Sequence, residues 1–203
     1  MRRAAIDRPR QFTALTRWLH WLMAPMVLMM LFVGLGMVST VSGRYHGLIA
    51  IHRPLGIAIL VLVLIRLANR LLNPGPPLPN HLNRLERFFA GASQVVFYSL
   101  MILMPLVGWG MLSAARYPVV MAGRVHLPAI LPQDPLLYAI LHRAHTMLAY
   151  AFLATFIAHF GAALVHAWIY RDGVFAAMAP WPLRTPRSRH RLDDLLLRRP
   201  PRQ

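Results

Sequence analysis

The chain has 203 residues, of which 57% are hydrophobic and only 14% charged, with a formal net charge of +16. That balance excludes an ordinary soluble domain. The absence of cysteine excludes disulfides, iron–sulfur clusters and covalent c-type haem attachment.

Residues 1–16 form a basic lead. Four apolar runs follow, at about 18–38, 48–65, 88–114 and 145–170, each near the ~20 residues a helix needs to cross a bilayer. The first carries Arg17-Trp18-Leu19-His20-Trp21 at one mouth and Pro25 a turn further in. Its length and the lack of a small-x-small site argue against a cleaved signal. The second run is stopped by Asn73-Pro74-Gly75-Pro76-Pro77, where successive prolines cannot continue a helix. The third contains Pro105. A proline-punctuated loop at about 115–140 leads to the fourth span, which ends near Arg171-Asp172-Gly173. The expected architecture is all-α: an integral-membrane four-helix bundle over 17–172, with an arginine- and proline-rich tail over 173–203 that is expected to be disordered beyond Pro180.

All 22 basic residues are arginines, and they flank spans instead of lining a soluble groove; nucleic acid is therefore not an expected partner, and membrane lipid is. With the N-terminus inside, seventeen arginines fall on inner segments and five (Arg44, Arg53, Arg116, Arg124, Arg143) on outer ones. This asymmetry predicts a multi-pass membrane protein with both termini cytoplasmic.

The fourth span holds His145 and His159, fourteen residues apart. Fourteen residues is nearly four helical turns, so both rings share a face at depths roughly 21 Å apart. His52 lies at the outer end of the second span and His20 near the inner end of the first. An intramembrane ionisable residue is costly without a partner. Hydrogen bonding between helices would explain any one of these histidines, and a zinc site would gather ligands at one depth. Four at two matched depths instead suggest the pairs His52/His145 and His20/His159, each clamping a haem iron from both axial sides for electron transfer. Arg66 follows His52 by fourteen residues and, with Arg17, is a candidate partner for the inner haem's propionates. His166, seven residues beyond His159, is a candidate proton donor to a quinone at the inner interface.

The ordered set Arg-Trp-Leu-His20-Trp, Ile-His52-Arg-Pro-Leu-Gly56, Arg66-Leu-Ala-Asn-Arg70, Met-Pro105-Leu-Val-Gly108, His145, His159-Phe-Gly-Ala-Ala-Leu-Val-His166, Asp172 and Met178-Ala-Pro180 resembles the bacterial cytochrome b561 family over about residues 12–180. The resemblance implies four spans and two non-covalent b-type haems, with His52 and His145 on the outer haem and His20 and His159 on the inner. Stand-alone members of similar length include superoxide oxidases, which pass an electron from superoxide to ubiquinone, with the match to His166 lying at the quinone. Others are membrane subunits that link a periplasmic redox partner to the quinone pool. The loop between the third and fourth spans shows no convincing match.

Overall fold

The computed structural model describes residues 11–40, 43–78, 82–117, 119–121 and 125–180. The basic residues 2–10 and the tail beyond Pro180 lie outside the described residues. Four long helices dominate: α1 (Ala14–Ser39), α2 (Arg44–Leu72), α3 (Arg84–Ala114) and α4 (Pro135–Leu164). The last continues as a π-helical turn over Val165–Tyr170, and a short helix α5 (Val174–Met178) follows. All four are long and apolar enough to cross a membrane.

Local signals explain the helix ends. Asn83 and Glu86 form a reciprocal capping box at the start of α3, satisfying two amide donors that the first turn leaves free. Asp134 accepts from the amides of Leu136 and Leu137, with Pro135 as the first helical residue of α4. This cap starts α4 ten residues before the apolar run expected at 145. Pro25, Pro54 and Pro105 lie inside their helices and do not end them. At Gly75 any Cβ would collide with the Phe12 ring and the Arg70 guanidinium, so glycine is what lets the proline linker pass the start of the chain.

One departure from an all-helical chain is a small antiparallel hairpin, β1 (Val119–Met121) with β2 (Val125–Leu127), where an irregular loop was expected. The start of α1 and the end of α4 lie on the same side, called the terminal side below. The Phe12 amide bonds the Ala177 carbonyl at 3.2 Å and the Trp21 indole bonds the Met178 carbonyl at 2.8 Å. Residues 174–178, at the start of the segment assigned to the tail, are folded against α1. The turn from α1 to α2 and the hairpin lie on the opposite, loop side.

The helices pack in chain order, α1 on α2, α2 on α3 and α3 on α4, while α4 stands off from both α1 and α2. The core is a mid-depth layer drawn from every helix: Met23 and Val27, Ile59, Leu60 and Val63, Leu100 and Met101, and Phe152. Large apolar side chains such as Phe32, Leu71, Phe88, Ile157 and Ile169 point outward, as lipid-facing residues do. On the terminal side a buried polar lattice ties α1 to α2. The Asn69 amide donates to Thr16 Oγ1 at 2.7 Å, and Asn73 donates to Asn69 Oδ1 at 3.1 Å. Replacing Asn69 by leucine removes both contacts and leaves the buried Thr16 hydroxyl with Thr13 as its remaining side-chain partner. We expect Asn69→Leu to cost about 1 kcal/mol, read as a lower unfolding midpoint in detergent; an unchanged midpoint would show that the lattice is dispensable.

Candidate functional site

The standoff of α4 leaves two slots, and a histidine pair crosses each. His52 of α2 faces His145 of α4 with ring centroids 6.2 Å apart; His20 of α1 faces His159 of α4 at 6.3 Å. Both pairings are those expected from depth alone. Between them lies the apolar layer, so the two pairs are insulated from each other by methionine, aliphatic and phenylalanine side chains.

Each pair has its own walls. On the loop side, Nδ1 of both His52 and His145 is buried without a hydrogen-bond partner. A Cβ placed on Gly108 of α3 would come within 3.2 Å of His145 Cε1; glycine there gives the ring its room. On the terminal side, Phe97 of α3 stands edge-on to His159 at 5.0 Å and also meets Phe152. Trp21 stands edge-on to His20 at 5.8 Å and is itself held by Phe175 and the Met178 carbonyl. Gly108, Phe97 and Trp21 were not singled out individually as site residues from the sequence, because a phenylalanine or glycine on an apolar helix carries no signal of its own.

Arg66 lies close enough to His20 and His159 for its charge to act on both rings, and its Nε donates to the Tyr98 hydroxyl at 3.2 Å. Arg17 is partly engaged elsewhere: Nη1 donates to Gln11 Oε1 at 2.8 Å and to the Ala179 carbonyl at 3.2 Å, while Nε is buried without a partner. His166 stands apart from both pairs. Its Nδ1 meets Asp172 Oδ2 at 2.6 Å, and its ring lies edge-on to Tyr170. Asp172 is 5% exposed, and its other oxygen accepts the Val174 amide. This contact spans six residues and would not close on a regular α-helix. The π turn, with the Arg171 amide bonded to the His166 carbonyl, and a left-handed Arg171 (φ 51°) bring Asp172 back under the ring. Such π segments recur at functional sites. His142 stacks near Tyr138 and joins neither pair.

The sequence matches the family described as prokaryotic cytochrome b561 over residues 11–181. The chain belongs to that family. It is also similar to a curated relative, cytochrome b561 homolog 2 of Escherichia coli (strain K12), with 28% identity over 175 residues covering 85% of this chain and 93% of that one. Membership makes the protein a membrane b-type cytochrome that transfers electrons and binds b-type haem.

The residues present fit that group. Two imidazoles on opposite sides of one iron, each with a metal–nitrogen distance of about 2 Å, have ring centres about 6 Å apart. Both observed pairs have that separation, and each joins α4 to a helix whose backbone stands apart from it. Among the described residues no cluster of three or more histidine or acidic side chains competes as a metal site. If the loop-side pair depends on the room at Gly108, Gly108→Val will displace His145 and lower the haem recovered per purified chain. Haem content equal to wild type would mean that the ring can retreat without losing its ligand.

Proposed function

We propose that this cytochrome b561 carries electrons across the bacterial inner membrane from superoxide to ubiquinone through two b-type haems, a superoxide oxidase activity. His52 and His145 ligate the haem on the loop side; His20 and His159 ligate the one on the terminal side. The observation that carries this reading is the pair of histidine couples at matched centroid distances, sharing α4 and set fourteen residues apart along it. Haem held by these histidines would supply one-electron centres suited to electron transfer.

The chain's own residues supply the rest. Arg66, oriented by Tyr98, and Arg17 through its free Nε offer cations to the propionates of the terminal-side haem. His166 serves the quinone. With Nδ1–H directed to Asp172, Nε2 is the nitrogen left to exchange a proton with the quinone oxygen. The arginine asymmetry supports a cytoplasmic terminal side and a periplasmic loop side. On the loop side, Arg44, Arg116 and Arg143 face one acid, Asp134, which already caps α4. Such a positive surface raises the arrival rate of a small anion and does so less as salt increases.

A second reading is an electron-transfer subunit whose donor is a periplasmic protein. What favours it is the loop-side surface: Val125, Ile130 and Leu136 are exposed there, and an open cavity of about 390 Å³ is lined by Trp109, Arg116, Tyr117, Leu127 and Leu131. That volume exceeds what a diatomic anion needs.

The test is anaerobic mixing of the purified protein with superoxide, with and without a ubiquinone analogue. The superoxide reading expects haem reduction that slows as ionic strength rises, followed by reoxidation by the quinone. Haems that ignore superoxide would pass the donor role to a protein partner, to be sought by copurification. In the same experiment Asp172→Asn should slow quinone-driven reoxidation by about tenfold or more while leaving haem content and reduction by the donor unchanged. Equal slowing of both steps would argue against a proton role for His166.

A further inference from the structure

Among the described residues five buried side-chain nitrogens have no hydrogen-bond partner: Arg17 Nε, His52 Nδ1, Arg53 Nε, Arg70 Nη1 and His145 Nδ1. Three of the five sit together at the loop-side histidine pair. Arg53 directly follows His52 on α2. One residue along a helix turns the side chain by about 100°, so Arg53 flanks the pair instead of pointing into it. Counted from the sequence alone, Arg53 passes for one of five outer surface arginines; its buried Nε sets it apart from that group.

Arg53 is half-buried, and its Nε is shut away from solvent with no acceptor; such a donor on a charged group is costly unless an acceptor meets it. The described residues provide no carboxylate for it. The three described carboxylates are all in use elsewhere. Glu86 takes the Asn83 amide in the capping box of α3, Asp134 caps α4, and Asp172 holds His166. An acceptor carried by a ligand at His52 and His145 would satisfy that nitrogen.

We propose that Arg53 is a cofactor-binding residue whose guanidinium pairs with a carboxylate side arm of the haem held by His52 and His145. This rests on the two-haem reading above. It gives the loop-side haem the counter-cation that Arg66 and Arg17 supply on the terminal side. The forked guanidinium matches a planar carboxylate, and a cation so placed favours the reduced iron, raising the potential of that haem.

The test uses the full-length protein in detergent, with Arg53→Gln and Arg53→Lys, read by haem per chain and by a redox titration of the absorbance spectrum. His52→Ala identifies which titration step belongs to the loop-side haem. Arg53→Gln is expected to lose that step or move it to lower potential, with the other step unchanged; Arg53→Lys, which keeps the charge, is expected to recover at least part of the loss. Two haems with wild-type potentials in Arg53→Gln would overturn the proposal. So would equal loss of both haems in both variants, which would make Arg53 a residue of the fold. A wild-type protein with no haem at His52 and His145 would instead defeat the two-haem reading itself.

Discussion

Four imidazoles inside an apolar slab dictate the rest of this structure. A buried polar ring in hydrocarbon is expensive unless something binds it, and at the loop-side pair neither Nδ1 meets a hydrogen-bond partner among the described residues. The fold meets that demand by keeping α4 away from α1 and α2 while packing it closely on α3. α4 then carries one member of each pair, and α1 and α2 carry the other. Because a helix in lipid must satisfy its backbone internally, the fourteen-residue interval between His145 and His159 becomes a fixed separation of about 21 Å.

The third helix contributes no histidine, and its part is to shape both slots. Gly108 leaves room for His145 and Phe97 braces His159. Leu100 and Met101, lying between these two positions, join the layer that separates the pairs. The same division holds in α1, α2 and α4, where Met23, Ile59, Leu60, Val63 and Phe152 occupy mid-depth. The terminal side is more elaborate. The chain's first described residues and the α5 segment close over it through Phe12, Arg17 and Trp21. The π turn there creates the histidine–aspartate contact of His166 with Asp172. Proton chemistry belongs on such a surface; the loop side, by contrast, presents arginines and a shallow cavity.

Much of this was legible in the residues, and what was not has a physical reason. The spans and the pairing of His20 with His159 and His52 with His145 follow from regular helices and depth, both of which lipid enforces. The early start of α4 was signalled by Asp134-Pro135, a helix-capping pattern that hydropathy alone overlooks. The hairpin at 119–127 was not visible, since three-residue strands in a proline-rich loop leave no alternation to read. The His166–Asp172 contact depends on a π turn and a left-handed Arg171, neither of which a 3.6-residue period anticipates. Arg17 was expected at a propionate, yet it also reaches the Ala179 carbonyl, 162 residues away in sequence. Arg53 was counted as a surface charge because the shielding of its Nε is a tertiary property.

The central claim is that two separate histidine pairs hold two separate haems. Haem quantitation and low-spin spectra of wild type, His20→Ala and His52→Ala, purified side by side, test it most directly. The account predicts two haems per chain in wild type and one in each variant, with the surviving signal differing between the two. A wild-type protein with one haem, or variants that lose the same signal, would contradict it.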